Sequence, residues 1–206
     1  MTLPSLAFNS KDRIVGILLA AGQGARFDAS GTHNKLLQPL ASGDAVVEAS
    51  AKNLLAALPT VLAVVRPGAP AVAAQLQALG CQVQACASAE QGMGASLVHA
   101  LSATPDAAGW VVALGDMPYV LPATIVALVA AINHGAAIAV PVCEGRRGNP
   151  VAFSRDHLPH LLQLQGDEGA RSLLKSWPVT AVDVHDPGIW RDIDRPSDLA
   201  HWPGSG

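Results

Sequence analysis

A glycine-rich turn with two basic residues is the part of the chain best suited to chemistry. Residues 18–27 read LLAAGQGARF, and Lys35 follows shortly afterwards. Glycine lets the backbone approach a phosphate or a base closely, and successive N–H groups in such a turn form an anion-binding concavity. Arg26 and Lys35 add positive charge beside it. The segment predicts a nucleotide or phosphate site, although on its own it also fits an ordinary glycine-rich turn with a surface arginine.

Three nucleotide-binding motifs compete for this segment. A Walker loop requires GKS or GKT, which the sequence lacks. A dinucleotide fingerprint requires a third glycine where Phe27 stands. It also requires an acidic residue after the second strand, which runs instead into Arg66 and Pro67, so an NAD-dependent oxidoreductase is disfavoured. The third motif, LAAGxxxR followed by a lysine, is the nucleotidyltransferase signature, and it matches.

Aspartates further along the chain are candidate metal ligands. Asp116 follows a short apolar run that ends in glycine, so we expect it at the carboxyl edge of a sheet, beside the first turn. Asp192 and Asp194 alternate around Ile193, and in an extended segment they face the same side. Mg²⁺ prefers one or two carboxylates together with phosphate oxygens. These residues predict a magnesium site, while Asp116 alone also fits a residue that closes a turn or caps a helix.

Apolar runs that alternate with helical stretches predict the elements that position these motifs. The alternation is typical of an α/β fold with a mostly parallel sheet, in which ligands bind at the carboxyl ends of the strands. The last third is less regular, and we expect it to add an antiparallel excursion over the sheet. We expect residues 1–12 to form a flexible tail and residues 13–206 a single domain. The predicted strands are 14–20, 61–65, 110–114, 137–142, 150–153 and 180–184, and the predicted helices are 45–57, 70–79, 95–101 and 122–133.

Composition excludes several classes of protein. With 50% hydrophobic residues and 13 Lys+Arg against 16 Asp+Glu, the chain is neither disordered nor a basic nucleic-acid binder. We find no membrane-length apolar run and no secretory signal, and the three cysteines lack CxxC spacing. We therefore expect a cytoplasmic protein without a disulfide framework or a thiolate zinc site. His157 and His160 straddle Pro159, which predicts surface histidines rather than a metal-binding pair.

Taken in order, the motifs resemble the MobA-like nucleotidyltransferase family and, within it, the molybdenum cofactor cytidylyltransferases. The resemblance extends over residues 14–201 and implies a Rossmann-like three-layer sandwich of the nucleotide-diphospho-sugar-transferase type. It is carried by residues 18–27 with 35–37, 92–97, 115–118, 147–153, 166–171 and 192–196.

The resemblance implies a Mg²⁺-dependent enzyme, with Mn²⁺ as a substitute, that transfers CMP from CTP to molybdopterin and releases pyrophosphate. It also implies a molybdoenzyme apoprotein as partner, and neither nucleic acid nor a membrane. The implied catalytic residues are Arg26, Lys35 and Asp116, and the implied metal ligands are Asp116, Asp192 and Asp194. The implied nucleotide-binding residues are Leu19, Ala20, Ala21, Gly22, Gln23, Gly24, Arg26, Lys35, Gly92, Met93, Gly94 and Ser96. The implied acceptor-binding residues are Gly148, Asn149, Pro150, Asp167 and Arg171.

Two departures from the family pattern and three alternatives accompany this interpretation. The loop before Lys35 is longer than usual, and Asn149 stands where many relatives have a histidine. The LAAG form of the turn resembles the cytidylyl branch, since the guanylyl branch usually has a second glycine that admits a purine. The alternatives are a guanylyltransferase, an enzyme with another phosphorylated acceptor, and a nucleotide-binding module without catalysis. The aspartates disfavour the last of these.

Overall fold

The fold is built around one sheet. The structure is a computed structural model that describes residues 13–28, 33–166 and 171–199, so the predicted tail lies outside the described residues. Within that part of the chain the strands are β1 (Ile14–Ala20), β2 (Val61–Val65), β3 (Gln82–Ala85), β4 (Gly109–Leu114), β5 (Ile138–Cys143), β6 (Arg146–Arg147), β7 (Val151–Ser154) and β8 (Thr180–Asp183).

Most of the described strands run in one direction. The strand order is β3-β2-β1-β4-β7-β5-β6, and β8 pairs with β5. β1 pairs in parallel with β2 and β4, β2 with β3, and β5 with β8. β7 runs antiparallel to both β4 and β5, and β6 runs antiparallel to β5. The predicted mostly parallel sheet is confirmed.

The antiparallel excursion consists of β6 and β7, which are strands of the sheet itself. The prediction that it lies over the sheet was wrong. The chain reverses after β5 at Glu144 and Gly145, whose φ angles are 49° and 75°. Two successive positive φ angles are typical of a two-residue hairpin turn. Because antiparallel strands can be joined by so short a connection, the returning chain pairs with β5 and inserts β7 beside β4.

Helices cover both faces of the sheet. Alternate residues of a strand point to opposite faces. In β1, Leu18 belongs to a core shared with α1, α2 and α4, whereas Ile17 belongs to a core shared with α3, α5 and α6. The predicted three-layer sandwich is confirmed, and none of the described helices is long and apolar enough to cross a membrane. The helices are α1 (Val46–Ala57), α2 (Pro70–Ala78), α3 (Met93–Ala103), α4 (Pro122–Asn133), α5 (Leu158–Leu161) and α6 (Arg171–Ser176).

His157 is buried, so its predicted surface position was wrong. The side chain follows β7 and turns inward, and the residue is only 4% exposed. Its ring centroid lies 6.5 Å from that of Phe153 and 5.1 Å from that of Trp177. Burial lowers the pKa of His157, and neighbouring His160 adds to the effect. His157 is therefore neutral at pH 7 and packs between Phe153 and Trp177, on the face of the sheet that α3, α5 and α6 cover.

Candidate active site

A pocket of about 410 Å³ opens at the carboxyl ends of β1 and β4. It is bounded by the glycine-rich turn, by a 3₁₀ turn at Lys35–Leu37 and by the start of α3. Ligand sites usually measure roughly 300–1,000 Å³, so the pocket has the size for a small organic ligand. The walls include Asp116 and the predicted nucleotide-binding residues Leu19, Ala20, Ala21, Gly22, Gln23, Lys35, Gly92, Met93 and Ser96.

The remaining predicted nucleotide-binding residues lie next to the pocket rather than in its wall. Gly24 and Arg26 belong to the same turn, beyond Gln23. Gly94 lies in α3 against backbone: a Cβ at this position would come within 2.9 Å of the carbonyl oxygen of Gly166. Four further wall residues were not predicted, because their types and spacing give no signal of a nucleotide site: Leu36, Ala89, Glu90 and Leu114.

Gly115 brings the ends of β1 and β4 close enough to form the pocket. Its N–H donates a hydrogen bond of 2.9 Å to the carbonyl oxygen of Leu19. A Cβ at Gly115 would lie 3.1 Å from the Cβ of Ala20 and 3.2 Å from the same carbonyl oxygen. The backbone therefore has little room for a side chain here, and the close approach places Asp116 directly beside the glycine-rich turn.

We expect Gly115→Ala to lower the free energy of unfolding by about 1–3 kcal/mol, the usual cost of overpacking, because the added methyl group forces β1 and β4 apart. Gly22→Ala is the matched control, since a Cβ at Gly22 meets nothing within 4 Å. Urea denaturation of both variants checks this prediction. Equal stabilities of the two variants would contradict it.

Four charged side chains join the glycine-rich turn to the last part of the described chain. The Nζ of Lys35 donates to Oδ2 of Asp116 at 2.6 Å and to Oδ1 of Asp194 at 3.2 Å. Arg26, which is mostly exposed, donates to the other oxygen of Asp194. Burial favours the neutral form of Lys35, but Asp116 and Asp194 outweigh it and raise the pKa of the lysine. Lys35 is therefore a protonated, largely buried cation between two carboxylates.

Local structure fixes the position of Lys35. The side chain of Asn34 caps the 3₁₀ turn by accepting a 3.0 Å hydrogen bond from the N–H of Leu36. On the opposite side, Gly24 has a φ of +66°, and a Cβ there would lie 3.4 Å from Cγ of Lys35. Glycine adopts this left-handed conformation at no steric cost, so the turn passes directly over the lysine stem. Lys35 therefore lies in the pocket wall although the sequence before it is longer than usual in the family pattern.

The carboxylates have the chemistry of a site for a divalent cation. Oδ1 of Asp116 is buried and accepts no hydrogen bond from the described residues, and leaving such an atom unsatisfied is costly. Partial desolvation raises the pKa of Asp192, and the nearby charges of Asp194 and Asp116 raise it further, so a cation here would relieve repulsion. Asp194 differs, because Arg26 and Lys35 already pair with it. In the described part of the chain no group of three or more His, Cys, Asp or Glu residues could hold a metal, so any cation here needs other ligands.

The predicted acceptor residues that the structure describes lie across β4 from the glycine-rich turn, on the side of β7. Asn149 and Pro150 line a small cavity together with Leu114, which also lines the large pocket. Gly148 is tightly packed, since a Cβ there would lie 2.5 Å from Ile189. Two further predicted acceptor residues cannot be placed: Asp167 lies outside the described residues, and only the backbone of Arg171 is described, at the start of α6.

Comparison with known proteins identifies the family. A sequence model of the MobA-like NTP transferase domain matches residues 16–182. The chain belongs to the MobA-like NTP transferase family. The purine catabolism protein PucB of Bacillus subtilis is 33% identical over 199 residues, which cover 90% of this chain and 93% of PucB. The family identifies the chain as a nucleotidyltransferase that uses a nucleoside triphosphate.

Solved structures of similar proteins have the same fold. The structure of Rv0371c from Mycobacterium tuberculosis matches with a TM-score of 0.80 and 30% identity, covering 92% of this chain and 96% of that chain. A complex of Rv0371c with manganese matches with a TM-score of 0.74 and 29% identity, covering 91% and 96%. Molybdopterin-guanine dinucleotide biosynthesis protein A from Archaeoglobus fulgidus matches with a TM-score of 0.64, covering 91% and 95%, but at 18% identity it shares the fold alone.

Proposed function

We propose that this MobA-like transferase moves CMP from CTP to a phosphorylated pterin acceptor of the molybdopterin type and releases pyrophosphate, with Mg²⁺ as its metal. The observation that carries the proposal is the position of Asp116. This carboxylate lies in the wall of the pocket, and one of its oxygens is buried with no hydrogen-bond partner in the part of the chain that the structure describes. Leu114, two residues before it, lines both that pocket and the cavity of Asn149 and Pro150. That cavity, at about 10 Å³, holds no more than a water molecule, so it marks the side from which the acceptor would approach Asp116 rather than the acceptor's binding pocket.

In the pocket, the nucleotide would lie between the backbone of the glycine-rich turn and the start of α3. Residues 20–22 would lie along the base and the α-phosphate, and their N–H groups are the donors expected of an anion-binding turn. Ser96, only 3% exposed, brings a hydroxyl from α3 into the wall. Arg26 and Lys35 would neutralise the β- and γ-phosphates, Lys35 after its carboxylate partners turn toward a cation.

Asp116 and Asp192 would hold the metal, and the triphosphate would complete its ligands. Mg²⁺ usually takes one or two carboxylates plus phosphate oxygens and water, which fits a site without a third acidic ligand. The manganese complex of Rv0371c supports a divalent cation in this family. When bound, the cation supplies charge stabilisation for the transferring and leaving phosphates.

The acceptor needs no general base from the protein. The second pKa of a phosphate monoester is about 6, so its oxygen is largely ionised at neutral pH and attacks the α-phosphorus directly. The bond from the α-phosphorus to the bridging oxygen of the β-phosphate breaks, and its electron pair leaves with pyrophosphate. The residues of this chain hold the acceptor phosphate and the triphosphate in line, which is catalysis by positioning. Their positive charges offset the repulsion between the two substrates, which is electrostatic stabilisation.

The form of the turn supports a pyrimidine. Ala21 is 8% exposed and lies in the pocket wall, where its methyl group takes space that a glycine would leave to a larger base. Size differences of this kind discriminate between ligands by roughly tenfold to two-hundredfold. The acceptor class rests on the resemblance of residues 147–153 and 166–171 to the molybdenum cofactor branch.

Pyrophosphate release with purified molybdopterin tests the proposal. We expect turnover with CTP and Mg²⁺ to exceed turnover with GTP by on the order of tenfold or more, and EDTA to abolish both. A preference for GTP would establish the guanylyl alternative instead. Release of no pyrophosphate from any nucleoside triphosphate, with molybdopterin or other phosphorylated acceptors, would leave a nucleotide-binding module without catalysis.

A further inference from the structure

A buried carboxyl group outside the pocket connects the start of α4 to the chain that carries the site aspartates. Asp186 is only 1% exposed. Its Oδ2 accepts hydrogen bonds from the N–H of Leu121 at 2.8 Å and from the hydroxyl of Thr124 at 2.6 Å. Its Oδ1 accepts a 2.9 Å bond from the N–H of Gly188. Burying a polar group is costly unless it is hydrogen-bonded, and here both oxygens are bonded, to two different parts of the fold.

From this anchor, the 186–194 segment passes first Asn149 and then Asp116. The carbonyl oxygen of Ile189 accepts a 2.9 Å hydrogen bond from the N–H of Asn149, a predicted acceptor residue. Four residues later, the N–H of Ile193 donates a 2.8 Å bond to the carbonyl oxygen of Asp116. The side chains of Ile189 and Ile193 are fully buried. Asp192 and Asp194 therefore flank a residue that is bonded to the backbone of Asp116.

The segment has little room to move. A Cβ at Gly188 would lie only 2.0 Å from the carbonyl oxygen of Tyr119, and a Cβ at Gly148 would lie 2.5 Å from Ile189. Backbone thus packs directly on backbone at Gly188. Because packed interiors transmit strain, a shift of the Asp186 anchor moves the residues that follow it.

We propose that Asp186 is a positioning residue of the transfer reaction. By holding the turn Pro187–Trp190 against α4, it places Asp192 and Asp194 beside Asp116 and Lys35, and it keeps Ile189 hydrogen-bonded to Asn149. Asp186 touches neither the pocket nor the reacting atoms. The inference rests on the proposed function, because positioning matters only if these aspartates take part in the reaction.

Asp186→Asn, compared with Thr124→Val, tests the inference. The amide nitrogen of asparagine cannot accept a hydrogen bond, so either α4 or Gly188 loses its acceptor. We expect faster hydrogen–deuterium exchange in peptides covering residues 187–194. We also expect kcat to fall by on the order of tenfold or more, as for residues that orient metal ligands, together with a higher Mn²⁺ activation constant and a smaller change in KM for CTP. Thr124→Val removes one bond to Asp186 but keeps the bond to Gly188, so its exchange in this region and its kcat should match the wild type even where its Tm is lower.

Wild-type kcat in a folded Asp186→Asn, or wild-type exchange of residues 187–194 in that variant, would overturn the inference. If Asp186→Asn does not fold, Asp186→Glu keeps both acceptor oxygens but lengthens the side chain by one methylene group, which displaces the same turn and should reproduce both effects. A folded Asp186→Glu with wild-type exchange and kcat would equally overturn the inference. If the wild type turns over no nucleoside triphosphate, the proposed function fails, whereas faster exchange confined to the Asp186 variant still supports the anchor.

Discussion

Asp116→Asn is expected to lower turnover by on the order of a hundredfold or more, which is at least the loss that follows removal of one oxyanion donor. The amide has the shape of the carboxylate and can still accept the bond from Lys35, so the fold should remain intact. It lacks the negative charge that a divalent cation requires, and Oδ1, which is buried and has no hydrogen-bond partner among the described residues, is the atom that would bind the metal. Pyrophosphate release at saturating CTP and Mg²⁺ measures the effect.

Asp44→Asn is the matched control for this variant. Asp44 also pairs with a lysine, since its Oδ1 lies 2.6 Å from Nζ of Lys52, but this pair is on the surface and neither residue lines the pocket. The same change from carboxylate to amide should leave turnover within about twofold, because exposed ion pairs contribute little. If Asp116→Asn folds normally and retains most of its turnover, the assignment of Asp116 to the metal is wrong.

The sequence was sufficient to predict those parts of the molecule whose signal is local. β1 could be predicted because a strand buried on both faces must be apolar throughout, and helix α4 begins at its first-turn proline, Pro122. The glycine-rich turn and Asp116 each follow such a strand. Since the carboxyl ends of neighbouring parallel strands meet at one edge, their proximity could be predicted without coordinates.

Elements with a weak pattern could not be predicted. β3 has the sequence QVQA and lies at the edge of the sheet, where it is only partly buried, so it lacks the continuous apolar run of the central strands. β7 was predicted as a strand, but its place between β4 and β5 depends on a two-residue turn whose first residue, Glu144, has the positive φ that usually requires glycine or asparagine.

The pairing of charges at the site was also beyond the sequence. Lys35 was expected to face phosphates, yet its partners in the structure are Asp116 and Asp194, which lie 81 and 159 residues away along the chain. Two partners of Asp186 are also distant in sequence, since Leu121 and Thr124 lie 65 and 62 residues away, whereas Gly188 is a local partner. Contacts across such separations depend on strand order and loop packing, which residue types alone do not specify.

The central position of Lys35 leads to the second large effect, that of Lys35→Met. Methionine keeps most of the stem that packs under Gly24, but it removes the cation between the carboxylates of Asp116 and Asp194. Asp116 then loses its ion pair, while Asp194 keeps its pair with Arg26. We expect turnover to fall by on the order of a hundredfold or more, as for loss of a transition-state donor. The free energy of unfolding should fall by about 1–3 kcal/mol, the usual cost of unsatisfied polar groups. Pyrophosphate release and urea denaturation measure the two losses.

Lys52→Met is the control that distinguishes an effect of the site from the general cost of losing an ion pair, because Lys52 pairs with Asp44 at a partly exposed position outside the pocket. Its stability should change by less than about 1 kcal/mol, and its turnover should not change. Mg²⁺ provides a sharper comparison: a cation bound at Asp116 replaces part of the charge that Lys35→Met removes, so millimolar Mg²⁺ should raise the Tm of Lys35→Met more than that of the wild type or of Lys52→Met. Equal shifts in all three proteins would show that the ammonium group and the metal do not share these carboxylates.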